Sequence, residues 1–351
     1  MAKKTILVDI YLAHNLGDDL FLDHLSHSFP DLDFVPFHPG KNYTLFFENY
    51  KNIKQFPYTI IDKIAARLGK NKLIDYHHLS KKYDGLLFLG GGIFREESYW
   101  HELYDYRLKI TKAFKNRDKK VFFSGCNFGP FNSPEFLKAH TKLYKKIDKI
   151  TFRDMASYNF FSKLQTTFYA PDLLWSYKLP KVNKKKNVLG ISVIDPRHKE
   201  QYKHTYEEYI SKHKKICESY LKQGYEIKLF SFCESEGDLD IAIKIAEDFP
   251  DMKIFNYNLQ ISSYLEEIGE CNLFIAARFH AVILAFKFEI PVIPVIYGDK
   301  TENLLIDLKF RPPFVFLDSI TSLSDSDFLS LKDNQINILE HKSEKHFDIE
   351  F

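Results

Sequence analysis

The chain has little of several features that would indicate a function at once. Its 351 residues include four cysteines, and none of them is spaced as a CxxC pair or another metal-binding pattern. Separated thiols are typical of a reduced cytoplasmic protein, so we expect neither a disulfide framework nor a cysteine metal site. No HExxH motif is present either, and we therefore expect no bound metal.

Long apolar runs are also missing, since none approaches the about 20 residues that span a bilayer. The basic N-terminus leads into a short apolar run interrupted by Asp9, which predicts a first strand rather than a signal peptide. We expect a soluble cytoplasmic protein that could still work at the inner face of the plasma membrane. Basic helical surfaces, such as the one with Lys138 and Lys142, could contact anionic lipid, although a solvated surface is favoured.

Charge of one sign is not in excess, with 49 basic and 47 acidic residues and a net charge of +2. This balance gives no global field for nucleic acid, so we expect no nucleic-acid partner and only a local basic site. The GxGxxG, GxxxxGK[ST] and GxSxG motifs are absent. The sequence therefore does not indicate NAD binding, a P-loop or a serine hydrolase.

What the sequence does have is a regular alternation of strand-like and helix-like segments. Apolar runs such as TILVDIYL (5–12), DGLLFLGGG (84–92) and KKVFFSG (119–125) alternate with amphipathic segments, and a second such series follows residue 187. This alternation predicts an α/β protein with two Rossmann-like doubly wound domains that face a cleft.

The domain boundaries follow from a change in composition. The polar, basic stretch at residues 179–187 separates the two series and is interpreted as a linker. We expect one Rossmann-like domain over residues 1–178 and another over 188–318. Residues 319–351 are predicted to form a C-terminal helix and a polar tail that frays.

In the predicted first domain, the loops that follow the strands carry glycines and small polar residues. Parallel α/β sheets bind their ligands at these loops. Glycines there let the backbone approach a ligand, although the GGG run fits tight helix–sheet packing equally well. Asp18 either caps the next helix or holds a ligand hydroxyl. The Arg153-Asp154 pair either serves a ligand or forms an ion pair and a helix cap. The candidate residues of these first loops are Asn15, Gly17, Asp18, Gly91, Gly92 and Asn127.

In the predicted second domain, cation-capable side chains follow two neighbouring strands. Arg278 and His280 begin a mostly apolar helix, and Lys300 follows the next strand close to Tyr297. A helix N-terminus favours negative charge by about 0.3–1 kcal/mol, and an arginine fork suits phosphate or carboxylate. These residues predict a site for a small, multiply charged anion.

The order of the short motifs resembles that of the polysaccharide pyruvyl transferase family. The resemblance covers about residues 6–302 and includes the twenty-position spacing between His280 and Lys300. Asn127 and Phe128 are bulkier than the small residues typical of the family, so the acceptor is not carried over. The motifs are NLGD (15–18), GGG (90–92), GCNFGP (125–130), RDMAS (153–157), PD (171–172), RFHA (278–281) and YGDK (297–300).

The resemblance implies a fold like that of two-domain glycosyltransferases of the B type. It also implies transfer of a pyruvyl group from phosphoenolpyruvate to a sugar, with a cyclic ketal and free phosphate as products. Phosphoenolpyruvate would be a co-substrate, and no further cofactor is expected. The first domain would be the acceptor side, with the glycine-loop residues, and the second the donor side. The implied donor-binding or catalytic residues are Arg153, Arg278, His280, Tyr297 and Lys300.

Within this interpretation His280 is the best candidate for the acid, because imidazole exchanges protons near neutral pH. Asp18 and Asp172 are candidates for the base. The acceptor would be a sugar of a polysaccharide or of a lipid-linked or cell-wall precursor. The sequence leaves open which sugar and hydroxyls react, the ketal stereochemistry, the pathway and the oligomeric state.

Two other functions fit the same architecture. A nucleotide-sugar-dependent glycosyltransferase would need cations that bind the diphosphate and an acidic residue that contacts the ribose. Glu302 is the candidate for this acidic residue. A non-catalytic carbohydrate- or phosphate-binding protein is the third possibility. The intact set of arginine, histidine and lysine residues argues against loss of activity.

Overall fold

The computed structural model describes residues 3–37, 42–57, 75–311, 313–323 and 340–351, and the chain divides into two compact units. The first unit consists of Met1–Leu12, Phe21–Leu173 and His341–Phe351. The second consists of Ala13–Leu20 and Leu174–Glu340. Two short segments thus lie outside the unit of their neighbours in sequence: Ala13–Leu20 belongs to the second unit and His341–Phe351 to the first. One carries the NLGD motif, and the other ends the chain.

The first unit is built on a parallel sheet in the order β2-β1-β3-β4-β5-β6. The central strands β1, β3 and β4 are buried along almost their whole length, which explains why they read as apolar runs. The strands are β1 Thr5–Ile10, β2 Asp33–Pro36, β3 Gly85–Leu89, β4 Lys120–Cys126, β5 Lys149–Phe152 and β6 Thr167–Tyr169. The helices are α1 Leu16–Ser28, whose first five residues belong to the second unit, α2 Thr44–Phe47, α3 Tyr76–Lys82, α4 Trp100–Lys115, α5 Pro134–Tyr144 and α6 Met155–Phe161.

The second unit repeats this architecture with a parallel sheet in the order β12-β11-β10-β7-β8-β9. Two parallel sheets with crossover helices confirm the predicted fold class. The strands are β7 Val188–Ser192, β8 Glu226–Ser231, β9 Lys253–Asn256, β10 Leu273–Ala276, β11 Val292–Ile296 and β12 Val315–Phe316. The helices are α7 Tyr206–Lys222, α8 Asp238–Ala246, α9 Ile261–Gly269, α10 Phe279–Lys287 and α11 Asp299–Asp307.

The stretch interpreted as a linker, residues 179–187, contains no helix or strand. It is nevertheless packed onto the second unit. Val182 lies so close to Gly269 that a β-carbon there would fall 2.9 Å from its side chain, and Lys185 pairs with Glu270 at 2.6 Å. Much of the stretch is therefore surface of the second unit.

The prediction that the end of the chain frays is wrong for residues 343–351. Ser343 and His346 are fully buried, and the ring of Phe351 lies over Gly85, where a β-carbon would fall 2.3 Å from it. Phe351 also contacts Phe122, with ring centroids 5.0 Å apart. Residues 340–347 form a 3-10 helix, and the helix predicted over residues 324–339 lies outside the described residues.

His346 fastens this last segment to the strand ends of the first unit. Its Nδ1 accepts the Gly125 amide at 3.2 Å, and its Nε2 lies 2.8 Å from the Pro171 carbonyl oxygen. The amide requires a lone pair on Nδ1, so the ring is neutral with its proton on Nε2. Burial lowers the pKa of His346 to about 3.

Across the described ranges, no helix is both long and apolar enough to cross a bilayer.

Candidate active site

Arg153 in the first unit lies in a buried polar network at the carboxyl ends of β4 and β5. Its Nε donates to Asn127 Oδ1 at 2.5 Å, and its Nη1 pairs with Asp172 Oδ2 at 2.8 Å. The side chains of Arg153 and Asp172 are 2% and 1% exposed. Gly91 completes the network, because a β-carbon there would lie 2.2 Å from the guanidinium. The GGG loop therefore allows the close approach of an arginine.

Asp154 has the helix-capping role that its sequence position allows. Its Oδ1 accepts the Ser157 amide at 2.7 Å at the start of α6, and its Oδ2 accepts the Ser157 hydroxyl at 2.8 Å. The amide of Asn127 also donates to Asp154. Asn127 thus connects the arginine pair to the helix cap, and its bulk has a structural explanation.

Arg278 in the second unit stands at the turn from β10 into α10. The hydroxyl of Ser192 in β7 accepts the Ala277 amide at 3.0 Å and the Arg278 amide at 3.3 Å, which fixes this turn. The guanidinium Nε donates to Asp238 Oδ2 at 2.9 Å, and Nη1 lies 2.5 Å from Glu236 Oε2. Arg278 is therefore already paired with two carboxylates that follow β8.

Further polar groups gather around these carboxylates. The Tyr297 hydroxyl interacts with Arg278, and Lys199 Nζ lies 5.9 Å from the centre of the Tyr297 ring. Burial opposes ionisation of Glu236, but Arg278, with Lys300 and Lys199, outweighs it and lowers the pKa of Glu236. We name this set the cation group: Arg278, Lys199 and Lys300 around Glu236. Its local field favours an anion.

His280, the second residue of α10, packs directly on the first turn of α1. A β-carbon on Gly17 would lie 1.6 Å from His280 Nδ1, so the imidazole rests on the glycine backbone. Asn15 Oδ1 accepts the Gly17 amide at 3.0 Å, and Leu16 donates to the Phe232 carbonyl at 3.1 Å. Asn15 therefore caps the first turn of α1, which also contains Asp18.

The loop after β8 joins these two features. It carries Glu236 and Asp238 to Arg278, and it also holds the segment that begins α1. The hydroxyl of Ser235 donates to the Ala13 carbonyl at 3.2 Å, and Asn15 forms an isolated antiparallel bridge with Cys233. The same loop thus positions both Arg278 and the glycine beneath His280.

The structure groups the predicted site residues within each unit. In the first unit, Gly91, Asn127, Arg153 and Asp172 come together, and Gly92 is half-buried in the same glycine loop. In the second unit, Arg278, Tyr297 and Lys300 lie in or beside the cation group, and His280 meets Gly17, with Asn15 and Asp18 in the same turn. The predicted acceptor residues are therefore divided between the two units.

The sequence analysis missed Lys199 of the cation group and the two carboxylates that pair with Arg278, Glu236 and Asp238. The available signal was their place after β7 and β8, at the same sheet edge as Arg278. Among the described residues, no cluster of three or more histidine, cysteine, aspartate or glutamate side chains is arranged to hold a metal ion.

Comparisons with known proteins agree with the motif order and with the fold. The model of the family described as polysaccharide pyruvyl transferase matches residues 15–299. A comparison with curated proteins finds no match.

The solved structures that are similar share the fold at low sequence identity. One is a putative UDP-N-acetylglucosamine 2-epimerase from Listeria monocytogenes, with a TM-score of 0.59, 11% identity, and coverage of 95% of this chain and 89% of that one. A Methanocaldococcus jannaschii UDP-GlcNAc 2-epimerase in complex with UDP-GlcNAc and UDP has a TM-score of 0.59, 10% identity and coverage of 98% and 97%. Anabaena Alr3699/HepE with UDP and glucose has a TM-score of 0.56, 11% identity and coverage of 98% and 96%. These similarities confirm a glycosyltransferase-B-like fold.

Proposed function

Because the chain belongs to the polysaccharide pyruvyl transferase family, we propose that it transfers a pyruvyl group from phosphoenolpyruvate to a sugar. The acceptor is a sugar of a polysaccharide or of a lipid-linked precursor, and the product is a cyclic ketal. The observation that supports this proposal is the cation group at the strand ends of the second unit, of which Arg278 and Lys199 lie within the matched residues 15–299 and Lys300 directly follows them. Phosphoenolpyruvate has the phosphate and carboxylate charges that such a group attracts.

In the proposed reaction His280 protonates the methylene carbon of phosphoenolpyruvate, which becomes the methyl group of the ketal. One sugar hydroxyl adds to C2, phosphate departs, and a second hydroxyl closes the ring. Of the two protons that the hydroxyls release, one restores His280 and the other leaves with the phosphate. Proton transfer of this kind contributes about 10²–10⁴-fold to a rate.

The contacts refine the roles that sequence position suggested for the cations. Arg153 and Arg278 are both paired with carboxylates, so neither presents a fully open fork to a ligand. We assign Arg153 to holding the strand-end loops of the first unit. Lys300, which is half-buried, and Arg278 neutralise the donor, and His280 supplies the proton.

The base is assigned to Asp18, which accepts the first hydroxyl proton and passes it to the departing phosphate, while the second hydroxyl proton restores His280. Asp172, the other candidate, is paired with Arg153 Nη1 at 2.8 Å and its side chain is 1% exposed, so it is not accessible to a sugar hydroxyl. Asp18 is half-buried in the first turn of α1, next to the glycine on which His280 rests.

The test is turnover with phosphoenolpyruvate and a panel of galactosides, glucosides and N-acetylmannosaminides. We expect phosphate release that depends on one acceptor class, with a mass gain of one pyruvyl ketal. His280→Gln should abolish it, while His198→Gln, which changes an exposed histidine of the same unit, should not. Thermal stabilisation by UDP-sugars, with no turnover of phosphoenolpyruvate, would instead support the nucleotide-sugar transferase.

A further inference from the structure

The turn between β8 and α8 presents two carboxylates to one arginine, and the two differ sharply in environment. Asp238 is fully buried and also accepts the amides of Phe232 at 3.1 Å and Cys233 at 3.0 Å. Glu236 has 38% of its side chain exposed and reaches Arg278 from a short 3-10 turn. Asp238 is therefore a fixed partner of the guanidinium, whereas Glu236 borders solvent.

The carboxylate of Glu236 occupies one side of the Arg278 guanidinium. It lies 2.5 Å from Arg278 Nη1, and Lys199 and Lys300 both act on its charge. Arg278 contacts this partly exposed carboxylate, and Lys199 and Lys300, which follow two other strands, help to lower its pKa. A structural ion pair of Arg278 needs one carboxylate, and Asp238 already provides it. Glu236 is therefore a second carboxylate that the turn does not require.

Release of Glu236 needs little rearrangement. The side chain has three rotatable bonds and borders solvent, so rotation alone can carry the carboxylate away from Arg278. Asp238, two residues further on, is anchored independently of Glu236 by the amides of Phe232 and Cys233. Asp238 can therefore keep its contacts when Glu236 leaves.

We propose that Glu236 is an internal stand-in for the donor's anionic group, which a small phosphate- or carboxylate-bearing ligand displaces from Arg278. Asp238 keeps the guanidinium oriented throughout, and Lys199 is a further cation of the donor site. The identification of the ligand as phosphoenolpyruvate rests on the proposed function. The exchange itself requires only a small multivalent anion.

The exchange has a measurable cost, because each binding event must break the Glu236–Arg278 pair. Removing the charge of Glu236 should therefore tighten anion binding, the opposite of what loss of a binding residue does. A partly exposed pair of this kind is worth about 1 kcal/mol, which corresponds to about fivefold in affinity.

The experiment is calorimetric titration of the full chain with inorganic phosphate at pH 7.5. Glu236→Gln should bind phosphate about fivefold more tightly than the wild type, and Glu236→Ala should shift in the same direction. Glu234→Gln is the matched control, since Glu234 lies two residues earlier in the same turn and contacts Asn256. Its affinity should not change, and Lys199→Gln should bind more weakly.

Unchanged or weaker phosphate binding by both Glu236 variants, with melting temperatures near that of the wild type, would overturn the proposal. So would a Glu236→Gln protein with unaltered phosphate affinity and lost turnover, which would make Glu236 a general base. Absence of phosphate binding by every protein would also overturn it. If Glu236→Gln binds phosphate more tightly but phosphoenolpyruvate supports no turnover, the displacement of Glu236 by an anion is supported. The assignment of phosphoenolpyruvate as the donor is then wrong.

Discussion

The imidazole of His280 rests on the backbone of Gly17, with Nδ1 at the place where a β-carbon would stand. Gly17 shows no positive φ, so the requirement for glycine is one of space rather than of backbone conformation. The NLGD and RFHA motifs are therefore two halves of one contact. The ring orientation of the proposed acid depends on the glycine beneath it.

Gly17→Ala should impair catalysis more than it impairs folding. The added methyl group cannot coexist with the present His280 ring, which must rotate away from its position. We expect turnover to fall by at least about tenfold, in line with the loss caused by small misplacement of a catalytic group. Turnover at saturating phosphoenolpyruvate and the melting temperature measure the two effects.

Gly224→Ala is the control for this prediction. Gly224 has a φ of 80°, and no atom lies within 4 Å of its added β-carbon. It should cost about 1 kcal/mol of stability through backbone strain while turnover is retained. Equal turnover in Gly17→Ala and the wild type would contradict the role of the contact.

Asp172→Asn should destabilise the first unit. Loss of one partner leaves the Arg153 guanidinium buried without its counter-charge, which typically costs about 3–5 kcal/mol. Urea denaturation should show a lower midpoint. The paired change Arg153→Met with Asp172→Leu should recover much of the stability. A stable but inactive Asp172→Asn protein would instead restore Asp172 as a candidate base.

Ser192→Ala should reduce stability less than Asp172→Asn does. The change should be local to the turn before α10. The lost hydroxyl leaves the amides of Ala277 and Arg278 without their acceptor, at a cost of about 1 kcal/mol. Because the turn also orients Arg278, we expect weaker donor binding. Calorimetry with phosphoenolpyruvate would measure it, and unchanged affinity would separate the turn from the site.

Stability should fall as the pH drops below neutrality, because three buried histidines are held neutral. Burial lowers the pKa to about 3 for His346 and to about 4 for His140 and His213, from an ordinary 6.5. Each histidine binds its proton more readily in the unfolded chain, so its contribution to stability is full above pH 6.5 and is lost between pH 6.5 and about 4 for His140 and His213, or about 3 for His346. By pH 5 the loss is at most about 2 kcal/mol per histidine.

Urea midpoints at pH 7.5 and pH 5 measure this loss. His213→Leu should reduce the pH dependence, since it removes one of the three groups and also an Nε2 atom that is buried without a partner in the described structure. Equal midpoints at the two pH values in the wild type would contradict the prediction.

The fold was predictable because parallel strands covered on both faces must be apolar along their whole length. Runs such as the one containing β3 therefore mark strands, and the position of each loop after a strand follows from the alternation. This local pattern also placed Arg153, Arg278, His280 and Lys300 at strand ends. The prediction of the fold needed no knowledge of which side chains meet.

The partners of these residues were not predictable by the same means. Asp238 precedes an amphipathic pattern and reads as an ordinary acid at a helix start, yet it pairs with Arg278, 40 positions away. The amide of Gly125 meets His346 across 221 positions. Such contacts depend on strand order and on which segments join which unit, and no local signal encodes either.

The contacts of residues 341–351 also bear on synthesis of the protein. These residues contribute to the first unit, in which Phe351 covers Gly85 and His346 holds Gly125, although they leave the ribosome after the second unit. Domains usually fold in order as they emerge. The part of the first sheet around Gly85 and Phe122 is therefore covered only after the second unit has been made.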